Sequence, residues 1–325
     1  MSSKTNPLAA IAFPLVALLA PALPSAAAAA PERGAKSGAA ASPAKAARAD
    51  IQATLGFVPG FLLDVPDLAL PGTWAEMKGL QLNPKTALSG ETKELIGLAV
   101  AAQIPCKYCI MAHTEFAKLN GASKAEIGEA VTMAAITRHW STFLNGAQTD
   151  DAKFRADIDR LVKNAQKAAG TPPKGSPIAV VDGPSALRDV TQTLGFVPDF
   201  LRRFPDAGRA GAWTTMKDVQ MNPQSAVSPK NKELIGLAVA AQVPCKYCVV
   251  AHTEFAKLAG ASQAEIDEAI AMAAFTRHMS TLLNGLQSDE GAFRRDLGRL
   301  VRGAQAAAKA NSKKAASHTT TAPRP

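Results

Sequence analysis

The chain's four cysteines fall in two short stretches, Pro105-Cys-Lys-Tyr-Cys-Ile-Met-Ala-His113 and Pro244-Cys-Lys-Tyr-Cys-Val-Val-Ala-His252. In an α-helix, positions i, i+3 and i+7 lie on one face. Cys106, Cys109 and His113 therefore share a stripe, and Cys245, Cys248 and His252 share its copy. The first cysteine of each pair opens a helix after a proline, where the positive end of the helix dipole favours thiolate. The imidazole one turn beyond the second cysteine can accept or return its proton. Two thiols this close can join within the helix, so the pair reads as a thiol/disulfide exchange element. Glu94 and Glu233 precede the first cysteines by twelve residues and border an apolar run. Desolvation there is expected to raise the carboxyl pKa and make each a proton carrier.

Two blander chemistries compete. A structural disulfide fits an oxidising compartment, but so short a loop removes little unfolded-state entropy and would stabilise poorly. Zinc would find three ligands in Cys, Cys and His, though on one tight turn rather than on separated knuckles. Redox chemistry is the preferred reading, with no cofactor and no metal expected. His139 and His278, each in Thr-Arg-His, are secondary candidates that either pair structurally or reach the site. Tyr108 and Tyr247, between the cysteines, read as packing residues before acids, because a phenol titrates near pH ~10.

Both stretches belong to an internal repeat with an offset of 139 residues: 44 of the 58 positions in 89–146 are identical in 228–285. Thr54-Leu-Gly-Phe-Val-Pro59 returns as Thr193-Leu-Gly-Phe-Val-Pro198, and Trp74 as Trp213. A period this long marks a duplicated domain rather than a solenoid. Each copy reads as all-helical. Ser89 and Ser228 cap a run with no polar face, Leu95 to Ala102 in the first copy, which predicts a helix buried all round. Pro105 ends it. A second helix is predicted from Cys106 to Leu119, stopped by Gly121. Ser123-x-x-Glu126 and Ser262-x-x-Glu265 are capping boxes for a third, reaching about Leu144. A fourth covers 151–168, and a further helix is expected near Trp74–Leu80.

These elements give an all-α architecture of two tandem helical domains, 50–169 and 189–308, joined by a Pro/Gly-rich linker, 170–188. Residues 1–30 read as an export signal, with Lys4, an apolar run and several Ala-x-Ala sites. Residues 31–49 are read as an unfolded linker and 309–325 as an unfolded basic tail. The formal net charge is +9 over 325 residues, yet 1–49 and 309–325 each carry +4, leaving +1 for the middle. A nucleic-acid domain would carry its basic patch on folded structure, so nucleic acid is not expected as a partner. Aromatics are 5% of the chain, which disfavours a β-sandwich built on aromatic pairs.

Glu, then Cys-x-x-Cys twelve residues later, then His four residues on, resembles the motif of the AhpD-like alkyl hydroperoxidases of the carboxymuconolactone decarboxylase superfamily. The resemblance covers both copies. It implies an all-α fold, thiol-dependent peroxide reduction and homo-oligomeric assembly. It also implies roles: Cys109 and Cys248 attack the hydroperoxide, Cys106 and Cys245 resolve the sulfenate and exchange with an unidentified thiol reductant, and Glu94, His113, Glu233 and His252 relay protons. The best-known member carries a histidine where this chain has Tyr108 and Tyr247. The decarboxylase branch generally lacks the cysteine pair, so a lyase is the alternative, followed by a non-catalytic metal-binding module. The chain is expected to be exported, with no membrane attachment once processed.

Overall fold

Fourteen α-helices, and no strand, make up the described residues of the computed structural model, 42–169 and 175–319, with side chains described to residue 310. The first copy holds α1 (Pro43–Leu55), α2 (Gly60–Leu63), α3 (Leu70–Glu76), α4 (Gly90–Gln103), α5 (Lys107–Leu119), α6 (Lys124–Gly146) and α7 (Asp151–Ala168). The second repeats them as α8 (Gly183–Leu194), α9 (Asp199–Arg203), α10 (Asp206–Thr215), α11 (Pro229–Gln242), α12 (Lys246–Leu258), α13 (Gln263–Gly285) and α14 (Glu290–Thr319). One π-helical turn follows α3 (Met77–Gln81) and another follows α10 (Met216–Gln220).

The caps place the helices as the sequence predicts. Ser89 and Ser228 accept from backbone amides at the starts of α4 and α11. Both capping boxes close, at Ser123/Glu126 and Ser262/Glu265. Gly121 sits at φ 99° after α5, a conformation that stops the helix without steric cost. From Thr92 to Ala101, α4 is buried on every side, and α11 is likewise from Lys232 to Ala240.

The two copies do not fold as separate balls. The apolar core is continuous, joining Leu95, Ile96, Val100 and Met133 to Leu234, Ile235, Val239 and Met272. Packing is crossed: α5 lies against α14 and α13 of the second copy, and α12 against α7 and α6 of the first. Tyr108 Oη donates to Ser288 O at 2.7 Å, and Tyr247 Oη to Thr149 O at 2.5 Å, each across the repeat boundary. Each tyrosine therefore ties one copy to the other.

Three boundaries differ from the sequence reading. α1 begins at Pro43, inside the stretch expected to be unfolded. Ser42 caps it, and Ala44, Ala47 and Ile51 are buried, which ties this alanine-rich segment to the body of the fold. Asp50 on α1 accepts from Trp74 Nε1 at 2.6 Å, as Asp189 on α8 does from Trp213. The linker 170–188 ends in helix, since α8 starts at Gly183 with Asp182 as its cap. α14 extends to Thr319, where alanine and lysine continue the helix by propensity instead of leaving it. Residues 1–30, expected to be an export signal, lie outside the described residues. No helix among the described residues is long and apolar enough to cross a membrane.

Candidate functional site

Cys106 is the N-cap of α5 and Cys245 that of α12, with each sulfur accepting from the amide of the second cysteine at 3.3 and 3.2 Å. Each pair is joined as a disulfide, Cys106–Cys109 and Cys245–Cys248, with Cα atoms 5.3 Å apart. Cys106 and Cys245 are fully enclosed, while Cys109 and Cys248 keep 4% of their surface.

The glutamates join the histidines. His113 Nδ1 lies 2.6 Å from Glu94 Oε2, and His252 Nδ1 lies 2.7 Å from Glu233 Oε2, all four side chains buried. Each pair spans nineteen residues, because α4 and α5 run back against each other around the Pro105 break, as α11 and α12 do around Pro244. A carboxylate on Nδ1 fixes the ring's orientation and leaves Nε2 to other partners. In the second copy Nε2 is 3.3 Å from Thr137 Oγ1 on α6 of the first.

Sequence reasoning missed several residues here. Gln81 Nε2 donates to Glu94 Oε1 at 3.0 Å, and Gln220 Nε2 to Glu233 Oε1 at 3.1 Å, both from the π-helical turns. Each glutamine precedes its glutamate by thirteen residues in both copies, a signal the repeat contains. A methyl group at Gly97 or Gly236 would overlap the imidazole of His113 or His252. These glycines stand three residues after the glutamates inside otherwise apolar helices, where a glycine marks close approach.

Around the second site opens a cavity of about 1290 Å³. Glu233, Cys248 and His252 line it, with Gln220 from the π-helical turn. Its opposite wall comes from the first copy: Thr137, Trp140 and Leu144 of α6, and Phe154, Ile158 and Leu161 of α7. Gly175 and Pro177, from the segment read as a linker, also border it. The site is therefore composite, with chemistry from one copy and walls from the other.

The secondary histidines sit elsewhere. His139 packs on Trp140 and Phe204, and burial holds its pKa below the ordinary histidine value. His278 Nε2 lies 3.3 Å from Thr73 Oγ1, and its ring stacks on Phe275. Both stabilise the seam between copies. Among the described residues no group of three or more His, Cys, Asp and Glu side chains is arranged to hold a metal ion.

Comparison with known proteins follows the repeat. The family model described as "Carboxymuconolactone decarboxylase family" matches residues 69–149 and again 208–288. A crystal structure from Burkholderia xenovorans LB400, described as a presumed gamma-carboxymuconolactone decarboxylase subunit, is similar at 17% identity and TM-score 0.46, covering 82% of this chain and 98% of its own. No curated protein matches in sequence. Each matched span runs from the helix before the π-helical turn to just past the end of α6 or α13 and contains one complete Glu, Cys-x-x-Cys, His set. The chain belongs to the carboxymuconolactone decarboxylase family and carries its domain twice in tandem.

Proposed function

We propose that the protein is an AhpD-like thiol peroxidase that reduces organic hydroperoxides at two Cys-x-x-Cys sites. The observation that carries this reading is that Cys248, His252 and Glu233 line one cavity, with the imidazole held by the carboxylate at 2.7 Å. Peroxide chemistry needs a thiolate and a proton donor at one place, and this arrangement supplies both.

In the reduced enzyme, the Cys109 or Cys248 thiolate attacks the outer peroxide oxygen. The O–O bond breaks, and the leaving alkoxide takes a proton from the Glu–His pair. The sulfenate that forms is attacked by Cys106 or Cys245, water leaves, and the disulfide closes. Two electrons from an external thiol donor restore the dithiol. The cavity volume exceeds the ~300–1,000 Å³ usual for small-molecule sites, which favours a bulky, largely apolar hydroperoxide over hydrogen peroxide. Export before residue 31 and homo-oligomeric assembly belong to the same reading. Mass of the secreted chain and its sedimentation test them.

Reduced protein is expected to consume cumene hydroperoxide, and Cys109→Ser/Cys248→Ser to lose this wholly. Equal rates in the two proteins would end the proposal. A second reading, a decarboxylase-type lyase, is favoured by the family match and by a Glu–His pair that is complete without sulfur. Turnover of a carboxymuconolactone by a chain with all four cysteines replaced by serine would select it.

A further inference from the structure

Cys106 Sγ is enclosed, yet one side chain from the second copy ends on it: Asn284 Nδ2, on the last turn of α13, lies 3.6 Å away. The same amide is held by Ser280 O at 2.8 Å and Ser280 Oγ at 3.4 Å. Asn284 also lines a separate, open pocket of about 440 Å³ with Ile104, Arg277, Ser280, Thr281 and Gly285. Behind Asn284 is the first sulfur of the pair. The peroxide-side cavity of the other site, by contrast, is lined by the second sulfur, Cys248, and Cys245 is not among its lining residues. Asn284 is thus the side chain between this open pocket and the enclosed first sulfur.

The second copy of this arrangement keeps every polar member. Arg138, Ser141, Thr142, Asn145 and Gly146 stand where Arg277, Ser280, Thr281, Asn284 and Gly285 do, with Val243 for Ile104. Asn145 Nδ2 is held by Ser141 O at 2.7 Å and Ser141 Oγ at 3.4 Å, as Asn284 is by Ser280.

We propose that this pocket is the docking site for the reductant that recycles the disulfide, and that the reductant is a small thiol bearing carboxylates. The inference rests on the peroxidase reading and names the missing electron donor's class. Arg277 gives the pocket a cation, and no acidic residue lines it, so it favours an anion. Its volume suits a small molecule. The target sulfur is enclosed behind Asn284, so a slender thiol arm must displace that amide to reach it, which a cysteine on a folded protein's surface cannot do. The incoming thiolate attacks Cys106 Sγ, and the Cys106–Cys109 bond breaks. The electron pair leaves on Cys109, which is protonated by the His113–Glu94 pair. A second thiol then displaces Cys106, giving the small-molecule disulfide and the reduced enzyme.

The test follows reduction of the oxidised full-length protein by thiol titration, without peroxide, using glutathione and neutral dithiothreitol as probes. The ratio of their rates is expected to fall about tenfold in Arg138→Glu/Arg277→Glu, and the difference to vanish in high salt. Alkylation and mass analysis should find the glutathione adduct on Cys106 and Cys245. An unchanged ratio, an adduct on Cys109 or Cys248, or reduction by a protein dithiol while glutathione is inert would each overturn the proposal. Failure of the peroxidase reading would show separately, as a protein reduced with this charge dependence that consumes no hydroperoxide.

Discussion

The two sites are alike in their chemistry and unlike in their walls. Glutamate meets imidazole at 2.6 Å in one and 2.7 Å in the other, and glutamine meets glutamate at 3.0 and 3.1 Å. Yet Trp140, which walls the second site, has Met279 as its counterpart beside the first. Asn164 corresponds to Gly303, and Lys167 to Ala306. The glutamate, cysteines and histidine sit on adjacent helices of one copy, where a fixed spacing around one proline sets their distances. The walls come from α6 and α7, or α13 and α14, of the other copy. A wall residue of the second site, Trp140, differs from its counterpart Met279, while the glutamate, cysteine and histidine positions are the same in both copies.

The largest test of that division is to disable one relay at a time. Glu94→Gln should lower single-turnover peroxide reduction at Cys109 by about 10²–10⁴, the usual range for a lost proton donor, and leave Cys248 reacting. Glu233→Gln should do the reverse, with sulfenate trapping and mass analysis reporting each cysteine. Gly236→Val should mimic Glu233→Gln, because the added side chain takes the space of the His252 ring. If either glutamine variant slows both sites equally, the sites are not independent and the comparison fails.

A smaller effect is expected at the wall. Trp140→Met gives the second site the residue that stands beside the first. Trp140 packs edge-on to Phe200 at 5.2 Å between centroids, so its loss removes an aromatic face of the cavity. KM for a bulky aromatic hydroperoxide should rise several-fold at Cys248, consistent with about 1 kcal/mol for a lost aromatic pair, while hydrogen peroxide is reduced as before. A kcat fall with unchanged KM would mean that Trp140 acts on the chemistry and is not a wall.

What the sequence showed follows the same line. The stripe Cys106, Cys109, His113 and the helices carrying it were legible because helical spacing is local. Glu94 was legible as a candidate since it borders an apolar run, Leu95 to Ala102, inside a helix buried on every side. The crossed packing was not. Nothing in the repeat says that α7 would cover α12 and leave α5 to α14, because two similar copies offer similar apolar faces and only the assembled core chooses between them. For that reason Thr137, beside His252, and Asn284, beside Cys106, drew no attention, although Thr137 lies in the Thr-Arg-His stretch read for its histidine. The ends at Pro43 and Thr319 were missed because alanine-rich, charged segments look alike whether they dock on a body or stay free.

The finest difference between the copies lies at the seam, and acid should expose it. Glu268 on α13 accepts from Thr86 Oγ1 at 2.5 Å and Leu88 N at 3.1 Å, and pairs with the fully buried Lys93 at 3.2 Å. Its counterpart Glu129 accepts instead from two amides, Ala226 N and Val227 N, at 2.7 and 2.8 Å. Burial by itself would raise the Glu268 pKa, but the bonds from Thr86, Leu88 and Lys93 outweigh it and hold the carboxyl below the usual glutamate value. A carboxyl depressed in the folded state contributes stability that is complete above its unfolded pKa, near ~4.3, and is lost as pH falls through the folded value. Thermal stability should therefore drop as pH falls below about 4, with Glu268 contributing at most about 1.4 kcal/mol per pH unit to that slope. Glu268→Gln, a near-isostere that no longer titrates, should be less stable at pH 7 and show a shallower fall in acid. A variant whose acid slope matches the parent would mean that Lys93 is held by the carbonyls of Leu80 and Asn83 alone, at 2.9 and 2.6 Å, and that the ion pair across the seam adds nothing to holding the copies together.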